Sequence, residues 1–500
     1  MSTANLTSLE QEFLQYYKQI ESFNEAIKLI AWDLRTKIPK KGIKRRSETI
    51  GLLTQKTHEL VTADEMKKYI DELKGSDNKI IQKSIELVEK RYNQSKKIPS
   101  DEYKAYVQLT SEAESVWAEA KEKNDFPSFM PYLEKIIDYN IRFADYWGYE
   151  ENKYDALLDN YEPGVTVKTL DDVFPKLRKE LSALIEEINQ STNKPNSEQI
   201  LKYFPKENQE KFALKLLEKM GFDFDAGRLD TTIHPFAINI NQQDVRVTTN
   251  YNENDFRVAI FGTIHEGGHA LYEQGLDLSL EGTPVGSAVS MGIHESQSLF
   301  WESFIGRNET FWDHNYDLFL QYAPSDFKEI SKQDFYRAIN EVKPSFIRIE
   351  ADEMTYPLHI MIRYELEKGL INREIKVKDL PELWNNKMEE YLGIRPETDS
   401  LGVLQDIHWS GGDFGYFPSY ALGYMYGAQI NNTLRKTVNI EEAIASDDLS
   451  PIKNWLNENI HRHGSMKQPL ELLKDVTGEG LNPDYLIEYL KQKYRKIYQD

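Results

Sequence analysis

Apolar residues recur at the helical period along almost the whole chain, and one stretch breaks that rhythm. Over 8–37, Leu9, Phe13, Tyr16, Tyr17, Ile20, Phe23, Ile27, Ile30 and Trp32 share one helix stripe, which Pro39 closes. Similar stripes, set against Lys/Glu-rich solvated faces, predict helices over 46–74, 79–96, 101–123, 129–147, 170–189 and 197–220. Helix resumes over 286–304, then over 335–369 with kinks at Pro344 and Pro357. It continues over 419–436, over 439–460 with a break before Pro451, and over 481–498. The exception is 231–240 and 244–251, where β-branched residues alternate and Asn241, Gln242 and Gln243 intervene. That pattern is a β-hairpin. The fold class is therefore all-α, a large, mostly helical body with one small β element. No linker divides it, so a single domain over 1–500 is expected, although length alone would allow two to four.

Composition narrows the function. The net charge of −21 argues against nucleic acid and against anionic membranes as partners. With no cysteine, any metal must be held by His, Asp or Glu. The N-terminus shows no signal peptide and no run reaches the roughly 18 apolar residues of a membrane span, so a cytoplasmic location is expected.

Directly after the hairpin comes F-G-T-I-H-E-G-G-H-A-L-Y-E-Q, 261–274. His265 and His269 stand at i and i+4, on one helix face, where both imidazoles reach one cation. Glu266 lies beside them, near enough to touch a water on that cation. This is the H-E-x-x-H pattern of zinc peptidases. Gly267 and Gly268 suit close approach by a substrate or a neighbouring helix. A catalytic zinc takes three protein ligands and a water. I-H-E-S-Q, 293–297, offers Glu295 or its neighbour His294, and only one of them can face inward from a second helix. Glu295 matches peptidases whose third ligand is a glutamate. Glu266 is then the base that takes the water's proton and returns it to the leaving amine.

These motifs, with H-P-F at 234–236, D-V-R-V-T at 244–248, I-R-I-E-A-D at 347–352 and G-V-L-Q-D-I-H-W at 402–409, resemble the carboxypeptidase Taq family of zinc metallocarboxypeptidases. That family is related in fold to angiotensin-converting enzyme and neurolysin. The resemblance implies release of single residues from peptide C-termini, broadly but not at proline. It also implies zinc, with cobalt substituting, and a homodimer of saddle-like subunits. A deep groove is expected, with N-terminal helices, within 1–75, as a lid over a catalytic core at 228–430. An endo-oligopeptidase on a similar scaffold and a non-catalytic helical peptide-binding protein are the rival readings.

An exopeptidase must read the terminal carboxylate, for which an arginine fork is suited. Arg348 and Arg246 are the candidates, and the resemblance favours Arg348, expected on a helix with Asp352 at i+4. Asp244 and Arg246 on the strand, and Gln405 and Trp409 in the Gly-rich loop 402–418, complete the expected substrate contacts. His234 joins them on the hairpin, whose edge could pair with a peptide backbone. His408 is expected at the substrate or oxyanion, and Tyr420 resembles the oxyanion tyrosine of angiotensin-converting enzyme. His461 and His463 are expected to place positive charge at a helix C-terminus. Asp230, Asp244 and Asp352 are candidates to support the zinc histidines.

Overall fold

A computed structural model describes residues 6–499. Four helices begin the chain: α1 (Ser8–Thr36), α2 (Ile43–Val61), α3 (Asp64–Leu73) and α4 (Lys79–Lys97). Thr7 and Glu10 start α1 with a reciprocal capping box, and Asn78 caps α4. Phe13, Tyr16 and Ile20 of α1 form a small core of their own with Met66, Ile70, Ile81 and Ile85. The main core starts at Ala113 and runs to Tyr498.

The chain continues through α5 (Ser100–Lys123), α6 (Phe126–Trp147), the single turn α7 (Asp155–Leu158), α8 (Val167–Asn189) and α9 (Lys206–Met220). The helix expected over 197–220 is shorter because Pro205, with no N–H, restarts it. Three strands follow: β1 (Gly227–Thr231), β2 (Ala237–Asn241) and β3 (Asp244–Thr249). β2 and β3 form the expected antiparallel hairpin around Gln242 and Gln243. The hairpin is shorter than its sequence pattern, because 232–236 is loop. β1, with Gly, Arg and Asp, carries no strand signature, yet it pairs in parallel with β3 and gives the order β1-β3-β2.

α10 (Arg257–Gln274) and α11 (Met291–Leu299) carry the metal motif. α11 runs on into a π-helical turn, Phe300–Gly306. Next come α12 (Glu309–Tyr322), α13 (Lys332–Ile339) and α14 (Tyr356–Ile371). The long helix expected over 335–369 is thus two helices with an irregular segment between them. Pro344 disfavours helix at Lys343, and Pro357 sits in the first turn of α14, where its missing N–H costs nothing. The remaining helices are α15 (Leu380–Leu392), the turn α16 (His408–Gly411), α17 (Pro418–Leu434), α18 (Ile440–Ala445), α19 (Ser450–Asn459), α20 (Pro469–Thr477) and α21 (Asp484–Gln499). Among the described residues no helix is long and apolar enough to cross a membrane.

α1 leaves its own lobe to grip the sheet. Trp32 is buried edge-on against Phe236, and Arg246 lies 5.4 Å from the centre of the Trp32 ring. Thr232 Oγ1 donates to Arg35 O, and Asn241 Nδ2 donates to Glu25 Oε1.

Candidate metal centre

α10 is buried on nearly all sides. Its two central glycines are contact points between helices rather than with substrate. A Cβ on Gly267 would lie 2.7 Å from Leu217 of α9, and one on Gly268 would lie 2.6 Å from the backbone oxygen of Gln297 in α11. α11 is held on its far side by α17, where a Cβ on Gly423 would meet Glu295 at 2.6 Å. Ser290 caps α11 by accepting from the Ile293 N–H.

This packing brings His265, His269 and Glu295 together, with ligand atoms all within 4.8 Å of one another. Glu295 Oε2 lies 3.4 Å from His269 Nε2 and 3.8 Å from His265 Nε2. Ligands about 2.0–2.1 Å from a tetrahedral ion are roughly 3.3 Å apart, so these donors fit a zinc-sized cation. The electrostatics fit as well. Burial lowers the His265 pKa, but Glu295 and Glu302 outweigh it and push the imidazole up to about 10. A cation would take the place of that proton. His269 is lowered to about 4 by burial and by His294, which leaves it neutral. Burial pushes the Glu266 carboxyl up to about 7, against the opposing charge of His265 and with the Glu295 charge adding to it.

The carboxylate that contacts a candidate metal-binding histidine is none of Asp230, Asp244 and Asp352. His265 Nδ1 lies 3.0 Å from Glu302 Oε2, on the π-helical turn, and Arg307 Nη2 donates to Glu302 Oε1 at 3.0 Å. Asp230 and Asp244 instead pair with Arg228 and Arg246, and Asp352 accepts from the N–H groups of Met354 and Thr355. The two-turn spacing from Glu295 to Glu302 is the sequence signal that could have found it.

A second group gathers around Asp406. Arg348 stands on a single 3₁₀ turn, Arg348–Glu350, and has no helix partner in Asp352. It is buried, with Nε and Nη2 donating to Asp406 Oδ1 at 3.0 and 2.9 Å and Nη1 to Tyr356 Oη at 2.7 Å. Arg363 donates to Asp406 Oδ2 at 2.6 Å. Burial would raise the Asp406 pKa, but Arg363 and Arg348 hold it well below the usual carboxylate range. Of the five guanidinium N–H groups of Arg348, one on each terminal nitrogen has no partner among the described residues.

Tyr420, on the first turn of α17, lies 5.1 Å from the Arg348 guanidinium and 5.1 Å from Tyr416. Burial holds Tyr420, Tyr416 and Tyr356 protonated, and the charge of nearby Glu295 adds to this. Tyr356 and Tyr416 were not anticipated. His408 packs 4.6 Å from Phe417, and burial lowers its pKa to about 4, so it is neutral.

Four expected substrate contacts are placed differently. Gln405 is buried; its Oε1 accepts from Arg348 N and Arg363 Nη2, and its Nε2 donates to Phe346 O. Trp409 is buried and donates to Glu367 Oε1 at 2.7 Å. Both brace the loop from inside. Asp244 and Arg246 form a two-pronged ion pair at 2.7 Å, and Arg246 faces Trp32. His234 is exposed on the loop between β1 and β2. His461 is buried and lowered to about 3 by burial, so it is no cationic helix cap, and its Nε2 donates to Gln297 Oε1. His463 is half-buried, with its Nε2 3.1 Å from Glu458 O.

A mostly helical body with two imidazoles, a glutamate and a neighbouring buried carboxyl at its centre defines a metallopeptidase. The chain belongs to the carboxypeptidase Taq (M32) metallopeptidase family, whose model matches residues 12–494. It is a metallocarboxypeptidase acting on peptides. It is 53% identical over 493 residues to carboxypeptidase 1 of Bacillus subtilis, covering 98% of both chains. It is 40% identical over 489 residues to thermostable carboxypeptidase 1 of Pyrococcus furiosus, covering 97% of this chain and 98% of that one. Among solved structures, the M32 carboxypeptidase of Deinococcus radiodurans superposes with a TM-score of 0.96 at 32% identity, covering 99% of this chain and 100% of that one. The BsuCP crystal structure gives 0.92 at 53% identity, covering 98% and 100%.

Proposed function

We propose that this metallocarboxypeptidase uses zinc, held by Nε2 of His265 and His269 and by a carboxylate oxygen of Glu295. It releases single residues from peptide C-termini, with broad specificity and reluctance at proline. The observation that carries this is the convergence of three donor atoms beside the buried carboxyl of Glu266. Bound there, zinc would polarise the scissile carbonyl and lower the pKa of a water towards 7, and cobalt would serve similarly.

Glu266 takes the proton of the attacking water and hands it to the leaving amine. Tyr420, kept protonated, donates to the developing oxyanion. His408, neutral, stands beside it as a second polar contact for the substrate. Arg348 receives the terminal carboxylate on its two unclaimed N–H groups, in the two-pronged geometry that favours carboxylates. His234 touches the peptide next to edge strand β2. Asp244, Arg246, Gln405 and Trp409 serve substrate binding indirectly, the first two through Trp32 and the others by fixing the loop. The N-terminal helices, α1 to α3, form a lid over the core at 228–430, within one domain that lines a deep groove. The enzyme works as a cytoplasmic homodimer.

The test is mass spectrometry of one peptide, as free acid and as C-terminal amide, after incubation with zinc-loaded protein. A ladder of single-residue losses from the free acid, with the amide left intact, is expected. Internal cleavage of the amide would favour an endo-oligopeptidase.

A further inference from the structure

The two histidines of the cluster are held by different means. His265 has its second nitrogen against Glu302. His269 Nδ1 is buried and meets no protein partner among the described residues. Metal-binding imidazoles are usually oriented through that second nitrogen. For His269 the structure offers a ring face instead. His294 lies parallel to it, with centroids 4.3 Å apart and planes 15° apart.

His294 is itself fixed on both sides. Its Nε2 donates to Glu273 Oε1 at 2.9 Å, and Glu273 Oε2 accepts from Asn239 Nδ2 of β2 at 2.5 Å. Its ring is followed by Tyr272 at 5.6 Å and 34°, and Tyr272 by His461 at 5.0 Å and 30°. His461 is pinned by its bond to Gln297, and a Cβ on Gly275 would lie within 3 Å of it, so the far end of the column has no slack.

We infer that His294 is a positioning residue: as the plate next to His269 in a column of four rings, it fixes the plane of that ligand and so its aim at the metal. This rests on the assignment of His269 as a ligand. It also accounts for His294 standing beside Glu295 without being a ligand, and for the buried, neutral His461. The ring, rather than the hydrogen bond to Glu273, is the part that acts on His269.

Two variants separate ring from hydrogen bond. His294→Phe keeps a flat ring and loses the donor. His294→Gln keeps a donor for Glu273 and loses the ring. Zinc affinity is measured by chelator competition on folded protein, with His269→Ala alongside. His269→Ala should lose zinc binding by more than His294→Gln does. His294→Gln should bind zinc about 10- to 100-fold more weakly than wild type, the usual effect of removing support behind a ligand. His294→Phe should stay within about threefold, because its ring still backs His269. His294→Gln within twofold of wild type, or His294→Phe as weak as His294→Gln, overturns the role of the ring. If His269→Ala binds zinc like wild type, the ligand assignment is what fails.

Discussion

Glu302 and His265 are joined by a 3.0 Å contact that reaches the metal cluster from behind. Glu302 rides on the π-helical continuation of α11, so one continuous helix supplies both a ligand candidate, Glu295, and the carboxylate that steers a second one. π-helical turns often occur at functional sites. Glu302→Gln keeps the shape and removes the charge. It should weaken zinc binding about 10- to 100-fold while the ligands stay in place. Affinity within twofold of wild type, by chelator competition, would show that His265 is held by its packing alone.

Arg348 is tied to the scaffold by Asp406 and Tyr356, and two of its N–H groups have no partner among the described residues. Arg348→Ala should lower kcat/KM on free-acid peptides by roughly 30- to several-thousand-fold, the effect of about 2–5 kcal/mol at a desolvated charge pair. Amidated peptides, already poor, should lose little, and zinc content should not change. An equal loss on both substrates would make Arg348 a scaffold residue.

How far the sequence carried these conclusions depended on whether a feature is local. The i, i+4 histidines and the helix stripes are set by neighbours in the chain, so periodicity reveals them. The turn holding Arg348 is not local, because Gln405 and Asp406 shape it from 57 and 58 residues away. Its surroundings therefore read as one long helix. Gln405 and Trp409 read as substrate contacts because they are polar-tipped and lie in a Gly-rich loop. Their hydrogen bonds are satisfied inside, by partners that a linear pattern does not show. Trp32 reads as one more stripe residue, although it packs on Phe236 some 200 positions later.

The loop 402–418 is pinned to α14 by Glu367, which accepts from Trp409 Nε1, Tyr154 Oη and Gly415 N. Burial pushes its carboxyl up to about 7. In the unfolded chain this carboxyl titrates near the ordinary glutamate value of 4.5, so between the two values the folded state holds the extra proton. The stability this group contributes is complete below about 4.5 and is lost as pH rises through about 7. Glu367→Gln removes that term. Its melting temperature should fall less than that of wild type between pH 5 and pH 8, whatever its absolute stability. Parallel curves would contradict the shifted carboxyl.

Trp32 links the N-terminal helices to the sheet through one aromatic pair and one cation–π contact. Trp32→Ala should weaken that link by about 1–3 kcal/mol, since the small core around Phe13 and Ile70 is untouched. Where opening is at equilibrium, proteolysis between α1 and α2 should speed up roughly 5- to 150-fold. Zinc affinity should be unchanged. Nicking at the wild-type rate would mean that Trp32 does not hold α1 in place.

Glu266 is a buried carboxyl beside the cluster and outside the proposed ligand set. Glu266→Gln preserves shape, but it cannot take a proton at neutral pH. The most direct measurement is kcat on a free-acid peptide for zinc-loaded Glu266→Gln and wild type, with zinc content determined on the same samples. Full zinc occupancy with kcat lower by at least about 10²–10⁴-fold is predicted, because general acid–base catalysis supplies that much and Glu266 acts twice. Full occupancy with kcat within tenfold of wild type would contradict the mechanism.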